Sequence, residues 1–143
     1  MQEVSIKAIK GILERKRDNL MQACQEYGLS LVVLHGSYAK GIPAANSDID
    51  IGLLGDDKII KEKYFEILKD FASIFGDKFD PVFMNGAEAM ILYHIAINGI
   101  PLFERRKGLF NSFKLAAIAR YMDTKKFRQL ERQYIKSAIE RMG

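Results

Sequence analysis

The 143-residue sequence predicts an α/β (α+β) fold: a small mixed sheet flanked by helices, closed by a C-terminal helical segment. Three observations carry this. Short apolar runs bounded by turn residues, such as Val32-Val33-Leu34 and the alternating Asp48–Leu53, have strand length and strand period. Longer segments between them place apolar residues at helical spacing. A chain of this length that is 48% hydrophobic fits one core. We therefore expect one domain over 1–143, with a catalytic or binding core over 1–107 and the helical segment over 108–143.

Residues 3–27 read as an amphipathic helix with Ile9, Ile12, Leu13, Leu20 and Cys24 near one face, stopped by Gly28. A strand follows at Val32–Leu34 and breaks at Gly36-Ser37, after which a short helix or loop is expected. Residues 42–47 (IPAANS) have the composition of a surface loop. The next strand carries Asp48 and Asp50 on one face and Ile49, Ile51 and Leu53 on the other. Gly55-Asp56-Asp57 turns the chain, with the aspartates as caps for a helix over 58–75 whose core face holds Ile60, Tyr64, Ile67, Leu68, Phe71 and Phe75. FDPVFMN (79–85) reads as a third strand; Pro81 places it at a strand start or a sheet edge. A mostly buried helix over 86–98 ending at Gly99, a short strand over 100–105 and helix from Gly108 to Met142 complete the order. Asp123-Thr124 either caps a last helix or lies inside one long helix. Phe127, Leu130, Tyr134 and Ala138 form a stripe that folds back on the domain or meets another subunit.

Composition excludes several classes. No apolar run of about 18 residues exists, so no membrane-spanning helix is expected. The N-terminus lacks the pattern of a secretory signal. Cys24 is the only cysteine, which rules out an internal disulfide and a cysteine metal site. These features point to the cytoplasm. Net charge is +4 but unevenly placed: residues 1–103 carry −3 and residues 104–143 carry +7. The basic segment suits an acidic partner surface, nucleotide phosphates or RNA, or is simply a solvated helix face.

The chemistry-bearing residues are concentrated between Gly36 and Asp50. Two carboxylates about 7 Å apart on one strand face repel unless a cation lies between them, so Asp48 and Asp50 suit a metal. Gly36 allows close approach of a ligand to the backbone, and Ser37 adds a hydroxyl; together they seat a phosphate, or Ser37 is only a helix cap.

Gly36-Ser37, ten intervening residues and then Asp48-x-Asp50 resemble the signature of the polymerase β type nucleotidyltransferase superfamily. The short chain is most similar to its minimal branch, the MntA kind, antitoxins that partner HEPN-domain toxins. The resemblance implies a polymerase β-like fold and a third acid on a neighbouring strand. Asp80 takes that place, with Asp77 as the alternative; without the family, Asp80 is a solvated strand-edge acid. Where the family has Arg-Gly after the serine, this chain has Lys40-Gly41, which keeps a cation but loses the bidentate fork.

The implied activity is transfer of AMP from ATP to an acceptor hydroxyl, with Asp48, Asp50 and Asp80 as catalytic residues and ligands of Mg²⁺ or Mn²⁺, and with Gly36, Ser37 and Lys40 on the nucleotide. The implied acceptor is a tyrosine of a HEPN-domain toxin bound in trans, in a hetero-oligomer, rather than nucleic acid. The chain has no Arg-x4–6-His, the HEPN nuclease signature, so it corresponds to the antitoxin. A non-catalytic antitoxin acting by contact and an antibiotic nucleotidyltransferase are the competing readings. His35 and His94 rank below the acids as site residues.

Overall fold

The protein is described by a computed structural model covering residues 2–41 and 47–142, with side chains from residue 9 onward. The expected loop over 42–47 therefore lies outside the described residues except at Ser47. Four strands form one mixed sheet in the order β3-β2-β1-β4, with β1 Leu31–His35, β2 Ile49–Leu54, β3 Phe79–Phe83 and β4 Ile100–Glu104. The strands β1 and β2 run antiparallel, with His35 opposite Asp50 and Leu31 opposite Leu54. β3 joins β2 in parallel, with Asp80 beside Asp50. That parallel pairing needs a crossover, which the helices α4 (Asp57–Glu62) and α5 (Tyr64–Phe75) provide. β3 is an edge strand, so Pro81 removes no interior ladder bond, as the sequence predicts.

The central strand β1 is buried on both faces because helices cover each. Val32 and Leu34, with Ile49, Ile51 and Leu53, pack under α1 (Gln2–Arg15), α2 (Arg17–Glu26) and α5. Phe71, Phe75 and Phe79 stack on that side with ring centres 6.0–6.4 Å apart. Leu31 and Val33 face the other way and pack with Met84, Leu92, Ile95, Ala96, Phe110 and Ala117. Met84 follows β3, and the others belong to α6 (Ala89–Asn98) and the first part of α7 (Leu109–Met142). The period of two therefore sends Asp50, Asp80 and His35 to the α6/α7 side.

Two expected helices are each divided in two. The segment expected over 3–27 breaks at Lys16, and the one over 58–75 breaks at Lys63. Each lysine sits near φ −109°, ψ 13–18°, in the bridge region, while backbone bonds continue on both sides, from Lys16 to Ile12 and from Leu20 to Lys16. Lysine is a good helix former, so nothing local announces either break. Tyr64 is also not a core residue: it lies 40% exposed against Phe65 and Phe83 at the sheet edge, because α5 begins there, past the break. Asp56 does cap α4, its carboxylate accepting from the Lys58 and Ile59 amides at 3.0 and 3.2 Å. The last segment is one helix through Asp123-Thr124, where the Thr124 hydroxyl donates back to the Tyr121 carbonyl at 2.8 Å. Among the described residues no helix is long and apolar enough to cross a membrane.

Candidate active site

The acidic pair sits where three strand ends meet the Gly36-Ser37 turn. β1 ends at His35 because Gly36 takes φ +72° and starts the one-turn helix α3 (Gly36–Lys40). A side chain at Gly36 would press into the Asp50 carboxyl group, with Cγ 2.9 Å from the added carbon. Glycine is required there twice, by its backbone angle and by the acid lying against it. The turn and Asp50 are thus in direct contact, although fourteen positions separate them in sequence.

Asp50 and Asp80 come together side by side through the register of β2 and β3. Burial first, then hydrogen bonding with Asp80, then the charges of Asp80 and Asp48, push the Asp50 carboxyl up to about 6. Two carboxyl groups in contact must hold a proton between them or find a cation. Asp48 lies on the strand's approach, exposed, and acts on Asp50 through its charge. Among the described residues no group of three His, Cys, Asp or Glu side chains is close enough to hold a metal ion as placed. Carboxylate oxygens are the donor type that hard divalent cations take.

His35 stands opposite Asp50 across the β1–β2 ladder. Its Nε2 is buried and makes no hydrogen bond. Burial lowers its pKa, and the charge of Asp80 acts in the opposite direction. Gly52 makes room for Met84: an added Cβ would lie 2.9 Å from its Sδ but only in ordinary contact, 3.7 Å, with the His35 ring. A glycine inside a strand is the sequence signal for such a close approach, and motif reading passes over it. Lys40 closes α3 exposed, before the left-handed Gly41 (φ 76°). His94 is exposed on α6 beside Tyr93 and belongs to no site. Cys24 is buried on the opposite face, its thiol pushed up to about 12 by burial, which makes it inert.

A mixed four-stranded sheet with an acid pair under a Gly-Ser turn defines the nucleotidyltransferase class. The chain belongs to the family described as Polymerase beta, Nucleotidyltransferase, which matches residues 18–108. Among curated proteins it is similar to the protein adenylyltransferase MntA of Aphanizomenon flos-aquae (strain 2012/KM1/D3), with 29% identity over 129 residues, 80% of this chain and 83% of that protein. In fold it is similar to a chain of a toxin–antitoxin crystal structure with AMP-PNP, with a TM-score of 0.64 and 22% identity over 83% of this chain and 97% of that one. It also resembles a chain of the tri-AMPylated Shewanella oneidensis HEPN toxin in complex with MNT antitoxin, with a TM-score of 0.54 and 23% identity over 95% and 99%.

Proposed function

We propose that this chain is a protein adenylyltransferase antitoxin that moves AMP from ATP to a tyrosine hydroxyl of a HEPN-domain toxin in the cytoplasm. The observation that carries the reading is the Asp50 carboxyl lying against Gly36 with Asp80 beside it on the neighbouring strand. Similarity to the MntA adenylyltransferase and the fold likeness to the toxin–antitoxin complexes support the acceptor class.

In this reading the Gly36-Ser37 backbone and the Ser37 hydroxyl bind the triphosphate, with Lys40 as a further point charge for it. Asp48, Asp50 and Asp80 would hold Mg²⁺ or Mn²⁺, with Asp48 having to turn inward to join the other two. Such a cation would supply neutralisation of phosphate charge and a lowered pKa for the acceptor hydroxyl. Asp80, the outermost of the pair on the edge strand, accepts the hydroxyl proton as its oxygen attacks the α-phosphorus. The bond to the β-phosphate oxygen breaks and pyrophosphate leaves. The protein's contribution is positioning and electrostatic complementarity.

Incubation with α-labelled ATP, Mg²⁺ and the HEPN-domain protein should label that protein on tyrosine. Asp48→Asn with Asp50→Asn should abolish the label; labelling that persists in this double variant overturns the reading. A second reading, neutralisation by contact alone, draws on the absence of a ready three-acid group among the described residues. It requires the double variant to suppress toxicity as fully as the parent.

A further inference from the structure

Among the described residues the second half of α7 has nothing of its own chain to lie on. Its first part packs on the domain through buried Phe110 and Ala117 and a 4.0 Å stack of Tyr121 on Tyr93. Beyond Thr124 every described residue except Ala138 is exposed. At 1.5 Å per residue, 125–142 is about 27 Å of free helix. It is not a polar helix: Leu130 is 65%, Tyr134 73% and Ile139 63% exposed. After Thr124, Arg128 and Arg132, Ile135, Ile139 and Met142 resume the helix face that packs Phe110, Phe113, Ala117 and Tyr121 onto the domain. Phe127, Leu130 and Tyr134 form a second stripe beside it. A helix apolar over that much of its circumference is ordinarily covered, and an uncovered one of this length is marginal.

The charges say what covers it. Residues 123–142 carry six basic and three acidic side chains, a net of +3. At the root of the free half a notch of about 190 Å³ sets Lys125, Arg128 and Arg132 around Met90 and Tyr121. Arg128 lies over the Tyr121 ring at 5.9 Å. A second copy pairing through the same helix would bring net positive against net positive. An amphipathic helix with acidic flanks satisfies both the stripes and the notch.

We propose that the free half of α7 and this notch are the docking surface for the acceptor protein, which presents an acidic, apolar-studded helix. The acceptor's identity rests on the function proposed above. Because α6 and α7 cover the sheet face to which Asp50 and Asp80 project, an acceptor held here lies on the site's side of the sheet. Affinity lives on α7 and chemistry on the sheet.

The test uses the full chain with Leu130→Glu plus Tyr134→Glu, and separately Lys125→Glu plus Arg132→Glu, all at exposed positions. Calorimetry with the HEPN-domain protein should give at least tenfold weaker binding for each, with ATP binding and melting temperature unchanged. KM for the acceptor should rise while kcat is kept. Unchanged acceptor affinity in both variants overturns the proposal, as does a parent dimer in sedimentation that the apolar variant makes monomeric. Binding by the parent without AMP transfer overturns the catalytic reading and leaves docking intact; transfer that ignores both variants overturns docking alone. A parent that binds no HEPN-domain protein overturns both.

Discussion

Asp50 is held by three neighbours at once: Gly36 against its carboxyl, Asp80 beside it and His35 across the ladder. Its carboxyl is raised from 3.8 to about 6, so between those values the folded, metal-free chain holds a proton that the unfolded chain has released. Stability therefore falls as pH rises through that window. Asp50→Asn keeps the shape and removes the charge. In the presence of a chelator at pH 7 it should raise stability by about 1 kcal/mol after allowance for solvent screening, roughly 2–4 °C in a thermal melt, while transfer is lost. An equal or lower melting temperature would contradict the uncompensated pair. In the parent, divalent-cation affinity should drop as pH falls through about 6, since the proton and the cation compete. Gly36→Ala should cost about 2 kcal/mol in a denaturant melt, from the positive φ and the collision with Asp50. Alternation put Asp48 and Asp50 on one strand face, but the strand begins at Ile49, so its period fixes Asp50 and leaves Asp48 outside it. That Asp80 stands beside Asp50 depends on a parallel pairing across a crossover, which single-strand periodicity does not specify.

At the level of elements, contacts between segments distant in sequence decide the geometry. Asn85 clips the far ends of β2 and β3: its amide takes the Gly55 N–H at 3.1 Å and donates to the Asp57 carboxylate at 2.8 Å. Tyr27, which follows α2, donates to Asp70 on α5 at 2.5 Å and ties the two helices that roof the core. Burial and that bond both hold the Tyr27 hydroxyl protonated. Tyr27→Phe should cost about 1–2 kcal/mol by urea melt, with ATP binding unchanged because the tie lies on the sheet face opposite Asp50. Strand positions, the edge role of Pro81 and the stops at Gly28 and Gly99 were legible because glycine, proline and period carry local physical signals. The breaks at Lys16 and Lys63 were not: a bridge-region residue set by tertiary packing leaves no mark in composition. The exposure of Tyr64 follows from the second break, so both misreadings share one cause.

Across the whole molecule, charge and packing divide at different places. The basic segment begins near Arg105, but packing of α7 on the domain continues through Phe110, Ala117 and the Tyr121 stack. The domain's own stability should therefore extend to about Thr124 and no further. A chain ending at Thr124 should melt within about 2 °C of the full chain, because the residues removed bury almost no apolar surface on it. Its far-ultraviolet helical signal should fall in proportion to the helix removed, and ATP binding should persist, since no residue of the acid pair or the Gly-Ser turn touches that segment. A drop of 5 °C or more would mean that residues 125–142 fold back on the domain in solution, and the free face would then not be free. If the melt holds, the segment's exposed leucine, isoleucines and aromatics have no stabilising role within this chain. Their cost in exposed apolar surface is then offset only where another protein covers them.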